Sequence, residues 1–591
     1  MERRALVIVF LLLLLVSRAA LVLVLADVFF YGEELAKGAS AKAILDRIPL
    51  EYWKLTYVPH EGGGFVVAHL QALLFRLVGG NVLANKLAAL LTTALVLAAG
   101  LSFVRAAFGR RAAMIFGVLF VLAPAAFVRF SLLSIGAHFE ALLFLVLAVH
   151  YTLRVADAEP ARVRDVVLLG LAAGVGLYFS LQTAPAIAAS AVYLACFARR
   201  SLTLQRAGLA ALGGLAGLAP MLYMAAHAGM AVLQIRGQSI GAAHGTSARD
   251  AFRGFLEALA SQGDVFTWIA VLAYPLVIVL GLALPGERSE VAHWRRHALL
   301  PALVVVFLLG AYVTSGLAIE GTGQWTFFWR LSTPWLFATV LFAAAAASLS
   351  AHPSGVPRIV AGVATAALVV AGIDDHAALV RTGTSAALGE NVRQLVSFKG
   401  YDYIVYFDKL KTRLAGDAAA RIAPLLHFHD DPAYLLPSIE HSLFDRSPLP
   451  IGEVLALARA SYGERWLESL KGLGPYLAAG GRYDVARAFA RLGDVPEEVR
   501  APLAEAIGRT GRGLRPTRDL IDREIAGENV PESWRADFWR GTGWRLFQLH
   551  RLRPEEALAR IARAEEPARS ALRAGFDAAH RARSLTPAPA S

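Results

Sequence analysis

Long apolar runs alternate with short polar breaks along this chain, and arginines gather in every second break. The runs cover 5–26, 86–104, 112–130, 138–153, 165–180, 184–198, 207–225, 265–284, 298–317, 331–349 and 358–373. A helix needs roughly 20 apolar residues to cross a hydrocarbon core of about 30 Å, so the pattern predicts about eleven membrane spans. Backbone polar groups left in lipid must bond within their own segment, which makes these runs helices. Composition agrees: 56% of the 591 residues are apolar and only 18% are charged, a balance that a water-soluble surface of this size does not tolerate.

The breaks give the orientation. Arg3 and Arg4 precede the first run. That run is long for the apolar part of a signal peptide, and Leu25-Ala26-Asp27 is a poor cleavage site, so it reads as an uncleaved first span starting in the cytoplasm. Arg105/Arg110/Arg111, Arg154/Arg162/Arg164, Arg199/Arg200/Arg206 and Arg288/Arg295/Arg296 occupy alternate loops, and Arg358 continues the series. All fall on the side of Arg3 and Arg4, which places the N-terminus inside and the C-terminal domain outside. Gln182-Thr183 and Pro185 split 165–198 into two short spans joined by a tight turn. Residues 64–79 are short for a span and carry His69, Gln71 and Arg76. Counting them would invert the arginine loops, so they read as an interfacial helix on the outer leaflet. The net charge of +12 is then a matter of topology, and no nucleic-acid partner is expected. The single cysteine, Cys196, excludes an intrachain disulfide.

The fold class expected is all-α: a polytopic membrane domain over 1–375, with a long outer loop at 27–85, then a soluble helical domain over 385–582 and a disordered tail at 583–591. Gly472-Leu-Gly-Pro, Gly511-Arg-Gly and Gly541-Thr-Gly recur in the soluble part, roughly 30 to 39 residues apart, a hint of degenerate solenoid repeats. Arrays of helical hairpins commonly bind partners. Arg535, Arg540 and Arg545 lie among Trp534, Trp539 and Trp544. They read as a solvated basic face over an aromatic core, with contact to anionic headgroups or glycans as the functional alternative.

Chemistry is sought in the outer loops. Glu33-Glu34 stands just after the first span. Adjacent carboxylates at a membrane surface can act as general base and metal ligand; the plainer alternative is an acidic pair opening an amphipathic helix, where the helix dipole favours anions. His427, His429, Asp430 and Asp431 read as a polar loop before Pro432, or as metal ligands if that segment is a strand. Asp374-Asp375-His376 reads as a hydrophilic stop to the last span. Gly62-Gly-Gly64 reads as a turn, without the strand-loop-helix setting of a nucleotide-binding loop. His150, Gln182 and Tyr178 are intramembrane polar groups of the sort that mark transport paths. The repeated Gly/Pro-broken helices of an alternating-access transporter are not evident, however.

The order of elements adds a resemblance. A first span, an acidic pair, an amphipathic outer stretch, and a second span ending in Phe108-Gly-Arg-Arg111 together resemble the GT-C membrane glycosyltransferases, which include protein O-mannosyltransferases and aminoarabinose transferases of lipid A. Phe65–Gly79 looks like the family's juxtamembrane helix, Gly170–Tyr178 like another recurring element, and Trp329-Arg-Leu-Ser-Thr-Pro-Trp335 like its Arg-aromatic-Leu…Pro motif. The likeness covers about residues 1–375. Glu stands where the family has Asp at the first acidic position, and His60-Glu-Gly-Gly-Gly-Phe65 replaces a Pro-Pro-Leu-Tyr-like stretch.

The resemblance implies a transferase that moves a sugar from a polyprenyl-phosphate donor to a glycan, lipid or protein acceptor at the periplasmic face of a bacterial inner membrane. By the same likeness Glu33 would be the catalytic base and Glu34 its helper. Arg330 and Arg129 would hold the donor phosphate, with His60, Glu61 and Gln182 as further substrate contacts. Glu34, His138 and Glu140 would be the ligands of a divalent cation (Mg, Mn or Zn). The competing expectation is a non-catalytic or transport-related membrane protein whose outer helical domain binds a partner.

Overall fold

A computed structural model of the chain describes residues 3–25, 32–45, 62–137, 139–201, 203–228, 249, 264–284, 288–314, 324–383, 451–462, 464, 466–477, 485–490, 492, 495–510, 518–550 and 554–584. Every regular element among them is helical. The chain divides into two compact units, one built from Met1–Val22, Glu51–Leu74 and Asn85–Arg381, the other from Leu23–Leu50, Phe75–Ala84 and Thr382–Ser591.

The helices described up to residue 383 are α1 (Arg3–Val24), α2 (Gly32–Leu45), α3 (Gly64–Val78), α4 (Val82–Val121), α5 (Ala125–Phe130), α6 (Ala141–Asp157), α7 (Val163–Phe179), α8 (Thr183–Phe197), α9 (Leu204–Ala228), α10 (Val265–Ala283), α11 (Arg288–Thr314), α12 (Gln324–Ser350) and α13 (Gly355–Gly383). Each apolar run of the sequence lies mainly on these helices. Seven of them are long and apolar enough to cross a membrane, whereas α6, α7 and α8 have 17, 17 and 15 residues. Leu272 on α10, Val370 on α13 and Leu212 on α9 stay exposed, as side chains that face lipid should. The protein is a multi-pass helical membrane protein.

The 40 residues of α4 are two helices rather than one. Gly109 breaks them with φ +86°, a value that glycine adopts without steric cost. A Cβ on Gly100 would lie 2.8 Å from the Phe116 ring. Sixteen residues of straight helix would hold those positions about 24 Å apart, so the chain folds back at Gly109 among Arg105, Arg110 and Arg111. The third apolar run does not continue to residue 130 as one helix. The helix ends at Val121, and Pro124 precedes the separate short helix α5, because proline cannot donate to a helix interior.

Glycine also sets the approach of α7 to α9. A Cβ at Gly170 would sit 2.0 Å from Ala210 O, one at Gly174 2.1 Å from Gly214 O, and one at Gly213 2.5 Å from Val167 O. Lipid tails are as apolar as leucine, so membrane helices gain most by close backbone contact across small residues.

The other unit holds a ladder of helices in its C-terminal part. Glu497–Thr510, Arg535–Leu549 and Ala568–Ser584 stack in sequence, with Arg518–Ile525 and Pro554–Arg563 as intervening helices. Gly508 meets Phe538 O, Gly541 meets Glu505 O, Gly543 meets Leu572 O and Gly575 meets Arg540 O; earlier in the chain Gly474 meets Ala506 O. Gly474, Gly508, Gly541 and Gly575 follow one another at about the 34-residue period of helical-hairpin solenoids. Gly474 and Gly541 belong to glycine motifs singled out in the sequence, whereas Gly508 and Gly575 make their contacts outside those motifs. Leu503, Phe538, Leu546, Phe547, Ile561, Leu572 and Phe576 fill its core. Trp539 is buried and donates to Glu524 O at 3.3 Å, while Trp534 stacks on Phe489. Arg545 departs from the expected solvated face: it is 5% exposed and pairs with buried Glu524. The segments around Tyr401 and His427 lie outside the described residues.

Candidate functional site

Three turns of the first unit meet at the helix ends that the charge pattern assigns to the outside. The glycine run before α3 forms one of them. A Cβ at Gly62 would lie 1.1 Å from Tyr178 O, and one at Gly63 1.8 Å from Gly136 O. Gly63 also has φ +74°, so neither position accepts a side chain. The second is the turn before α6, which folds on itself: Gly136 N donates to Glu140 Oε1 at 2.9 Å, and Gln71 Nε2 from α3 donates to Ser134 O at 3.4 Å. In the third turn, between α7 and α8, Gln182 Oε1 accepts from Thr333 Oγ1 of α12 at 3.2 Å. Phe127 of α5 packs on Trp335 of α12 with ring centroids 4.3 Å apart. Gly62-Gly-Gly64 is thus a turn, as its composition predicts, and it is also the point where the chain before α3 is pressed onto the turns before α6 and after α7.

Beneath these turns lies a buried arginine that reading for apolar runs passed over. Arg18 of α1 is 0% exposed. Its Nε donates to Ser131 Oγ at 3.1 Å and its Nη1 to Val121 O at 3.0 Å, where the second arm of α4 ends. Nη1 also lies 3.0 Å from His376 Nε2. A guanidinium only donates, so His376 Nε2 accepts, and its Nδ1 carries the proton given to Gly372 O at 2.8 Å. Nearby, Asp264 takes Ala125 N on Oδ2 and Thr267 N on Oδ1, each at 2.8 Å, and so closes the N-termini of α5 and α10 together. Asp375 lies beside Asp264 and is 5% exposed. Asp374-Asp375-His376 is therefore no hydrophilic stop: α13 runs on to Gly383, and two of the three side chains are inward. The available signal was a charged residue inside an apolar run, which in a membrane helix faces protein and finds partners.

The residues singled out for chemistry are only partly brought together. Arg129 is 8% exposed at the end of α5, Glu140 is 3% exposed at the turn before α6, and Gln182 opens α8; all three belong to the first unit. Glu34 lies in the second unit, in the first turn of α2, with Glu33 in the same turn. That helix begins at the acidic pair, as the dipole argument expects. Glu34 is fully buried on one face with Lys37, Ser40 and Ala41. Arg330 lies within α12; its side chain, that of Glu33, and His60, Glu61 and His138 fall outside the described residues. Among the described residues no three His, Cys, Asp or Glu side chains converge as a metal site, and one oxygen of Glu140 is committed to the Gly136 amide. The described residues thus supply no cation ligand set.

Residues 62–224 match the family model of dolichyl-phosphate-mannose-protein mannosyltransferases. The matched residues lie within the stretch over which the sequence resembles the GT-C transferases. The matched segment contains Gly62–Gly64, Arg129, Glu140, Tyr178 and Gln182, whereas Glu33, Glu34 and Arg330 lie outside it. Among solved structures the chain is similar to ArnT from Cupriavidus metallidurans bound to undecaprenyl phosphate, at 15% identity and a TM-score of 0.40, over 73% of this chain and 85% of that one. No curated protein sequence matches the chain.

Proposed function

We propose that the protein is a membrane glycosyltransferase that takes a sugar from a polyprenyl-phosphate donor and passes it to an acceptor at the outer face of a bacterial inner membrane. The observation that carries this reading is the mannosyltransferase-family match over residues 62–224, which spans the start of α3, the Gly136 turn and the α7–α8 turn. In this reading Glu33 is the base that takes the acceptor proton and Glu34 supports it. Arg129 and Arg330 bind the donor phosphate, since a guanidinium pairs well with phosphate oxygens, and Gln182, held by Thr333, lines the substrate path.

The test is sugar transfer by purified full-length protein in lipid nanodiscs across a panel of polyprenyl-phosphate sugars. Wild type turns over, and Glu33→Gln falls at least about a hundredfold, the size of one general base. Turnover unchanged in Glu33→Gln removes that residue from the chemistry. A wild type that neither binds nor turns over any donor overturns the transferase reading, and leaves the helical array to define the protein as a partner-binding one.

A further inference from the structure

Two carboxyl groups of the first unit meet where the N-termini of α5 and α10 are closed. Asp264 already accepts on both oxygens, from Ala125 N and Thr267 N at 2.8 Å each. First-turn amides have no partner within their own helix, and a further one of α10, that of Phe266, lies against Asp375 of α13. Asp375 is 5% exposed. Its Oδ2 is enclosed and takes no hydrogen bond from a described donor, and its carboxyl lies beside that of Asp264.

The surrounding charges do not neutralise the pair. Asp374, on the same helix, adds a like charge. Arg18 spends its guanidinium on Ser131, Val121 O and His376, and His376 is neutral. Neither Asp264 nor Asp375 pairs with a lysine or arginine among the described residues. Two carboxyl groups in contact do not both ionise under these conditions. One proton between them turns the repulsion into a charge-assisted hydrogen bond, and it takes no more room than the contact itself. We infer that Asp264 and Asp375 share one proton, held as an O–H of Asp375 that donates to Asp264, and that this bond is a pH-sensitive clasp fastening α13 to the closed ends of α5 and α10. Since α5 carries Arg129 in its last turn, the clasp sets the position of a side chain at the candidate site. The inference does not depend on the transferase reading.

Aspartates of the unfolded chain titrate at about 3.9, so at neutral pH the folded chain holds a proton that the unfolded chain has released. Stability therefore declines as pH rises above that value. Infrared spectra and melting temperatures of the full-length protein in nanodiscs, taken from about pH 5 to about pH 9, cover the range beyond an ordinary carboxyl. Wild type shows the carbonyl stretch of a protonated carboxylic acid at neutral pH, and labelling aspartate with heavy carbon moves that band. Asp375→Asn lacks it. The asparagine amide donates an N–H at every pH, so the melting temperature of the variant falls less steeply than that of wild type as pH rises. Superimposed spectra of wild type and Asp375→Asn, or equal slopes, overturn the inference. A cation in place of the proton overturns it too, and is seen as a wild type that lacks the acid band and melts higher when calcium is added. If Asp375→Asn does not fold, the labelled wild type decides alone. A band that disappears with rising pH as stability is lost upholds the clasp, and no aspartic acid band at neutral pH sinks it.

Discussion

The α7–α9 seam and the C-terminal ladder use one device in two solvents. In both, a glycine lets one helix backbone touch a carbonyl of the next, at Gly174 against Gly214 O and at Gly541 against Glu505 O. Around the seam the remaining faces are apolar and open, as with Leu212 and Leu215 on α9. Around the ladder a packed core of Leu503, Phe538 and Leu572 stands behind the contact. Water drives the second core together, whereas lipid offers no such force and leaves the seam to packing alone. The buried arginines differ in the same way. Arg545 in the ladder has a carboxylate of its own in Glu524, and burial draws its pKa down to about 10. Arg18 in the membrane unit is met in the described structure by backbone carbonyls, two serines and a neutral histidine.

The largest effect that tests this contrast is in the ladder. Glu524→Leu strands Arg545 in the core and costs about 3–5 kcal/mol, read as a lowered melting temperature of the second unit. Adding Arg545→Met to that variant restores most of the loss; a double variant as unstable as the single one would mean that the ion pair is not the issue.

A methyl group compares the two seams directly. Gly541→Ala and Gly174→Ala intrude by similar amounts, since their Cβ atoms would lie 2.0 and 2.1 Å from the facing oxygens. Overpacking costs about 1–3 kcal/mol, and Gly541→Ala should reach the upper end because the parted helices admit water to an apolar core. Gly174→Ala should cost less, because lipid can follow. Equal losses in chemical denaturation would break the comparison.

Arg18→Leu leaves Val121 O and Ser131 Oγ without their donor and costs about 1–3 kcal/mol, seen as a lower melting temperature in detergent. The smallest effect is a pH dependence of the ladder. Burial holds the His550 imidazole below its ordinary value, although Glu556 at 3.2 Å pulls the other way. The unfolded chain, with a value of about 6.5, then takes up the proton first. Stability is complete above about pH 6.5 and declines as pH falls through the folded value; His550→Phe should flatten that slope in melting curves taken across the window.

The legible and illegible parts of this chain separate by physical cause. Lipid imposes length and composition on a span, so α1, α9, α10 and α13 could be read from their apolar runs. Pro124 and Gly109 carry the signals that break the third run and fold α4 back, but an average over an apolar window hides them. Arg18 and His376 were legible as charged or polar residues in apolar surroundings, yet their meeting joins positions far apart in the chain. In the ladder, Gly472-Leu-Gly and Gly511-Arg-Gly stood out because each holds two glycines one residue apart. The packing glycines Gly508 and Gly575 are isolated within helices, where only the contact they make reveals them. At the candidate site, Arg129, Glu140 and Gln182 are placed by turns, and the closeness of Gly62 to Tyr178 O joins positions far apart in the chain, which no residue pattern displays.

The glycine at each step of the ladder has a consequence for how the protein can change. Each step is specified chiefly by one position that must remain bare, and by apolar residues behind it, while the outward surfaces of the hairpins carry none of that requirement. A lineage can therefore rewrite the exposed faces of Glu497–Thr510, Arg535–Leu549 and Ala568–Ser584 almost freely and still inherit the same stack. The scaffold is specified by what it lacks, and the identity of whatever it meets is left to the outward residues.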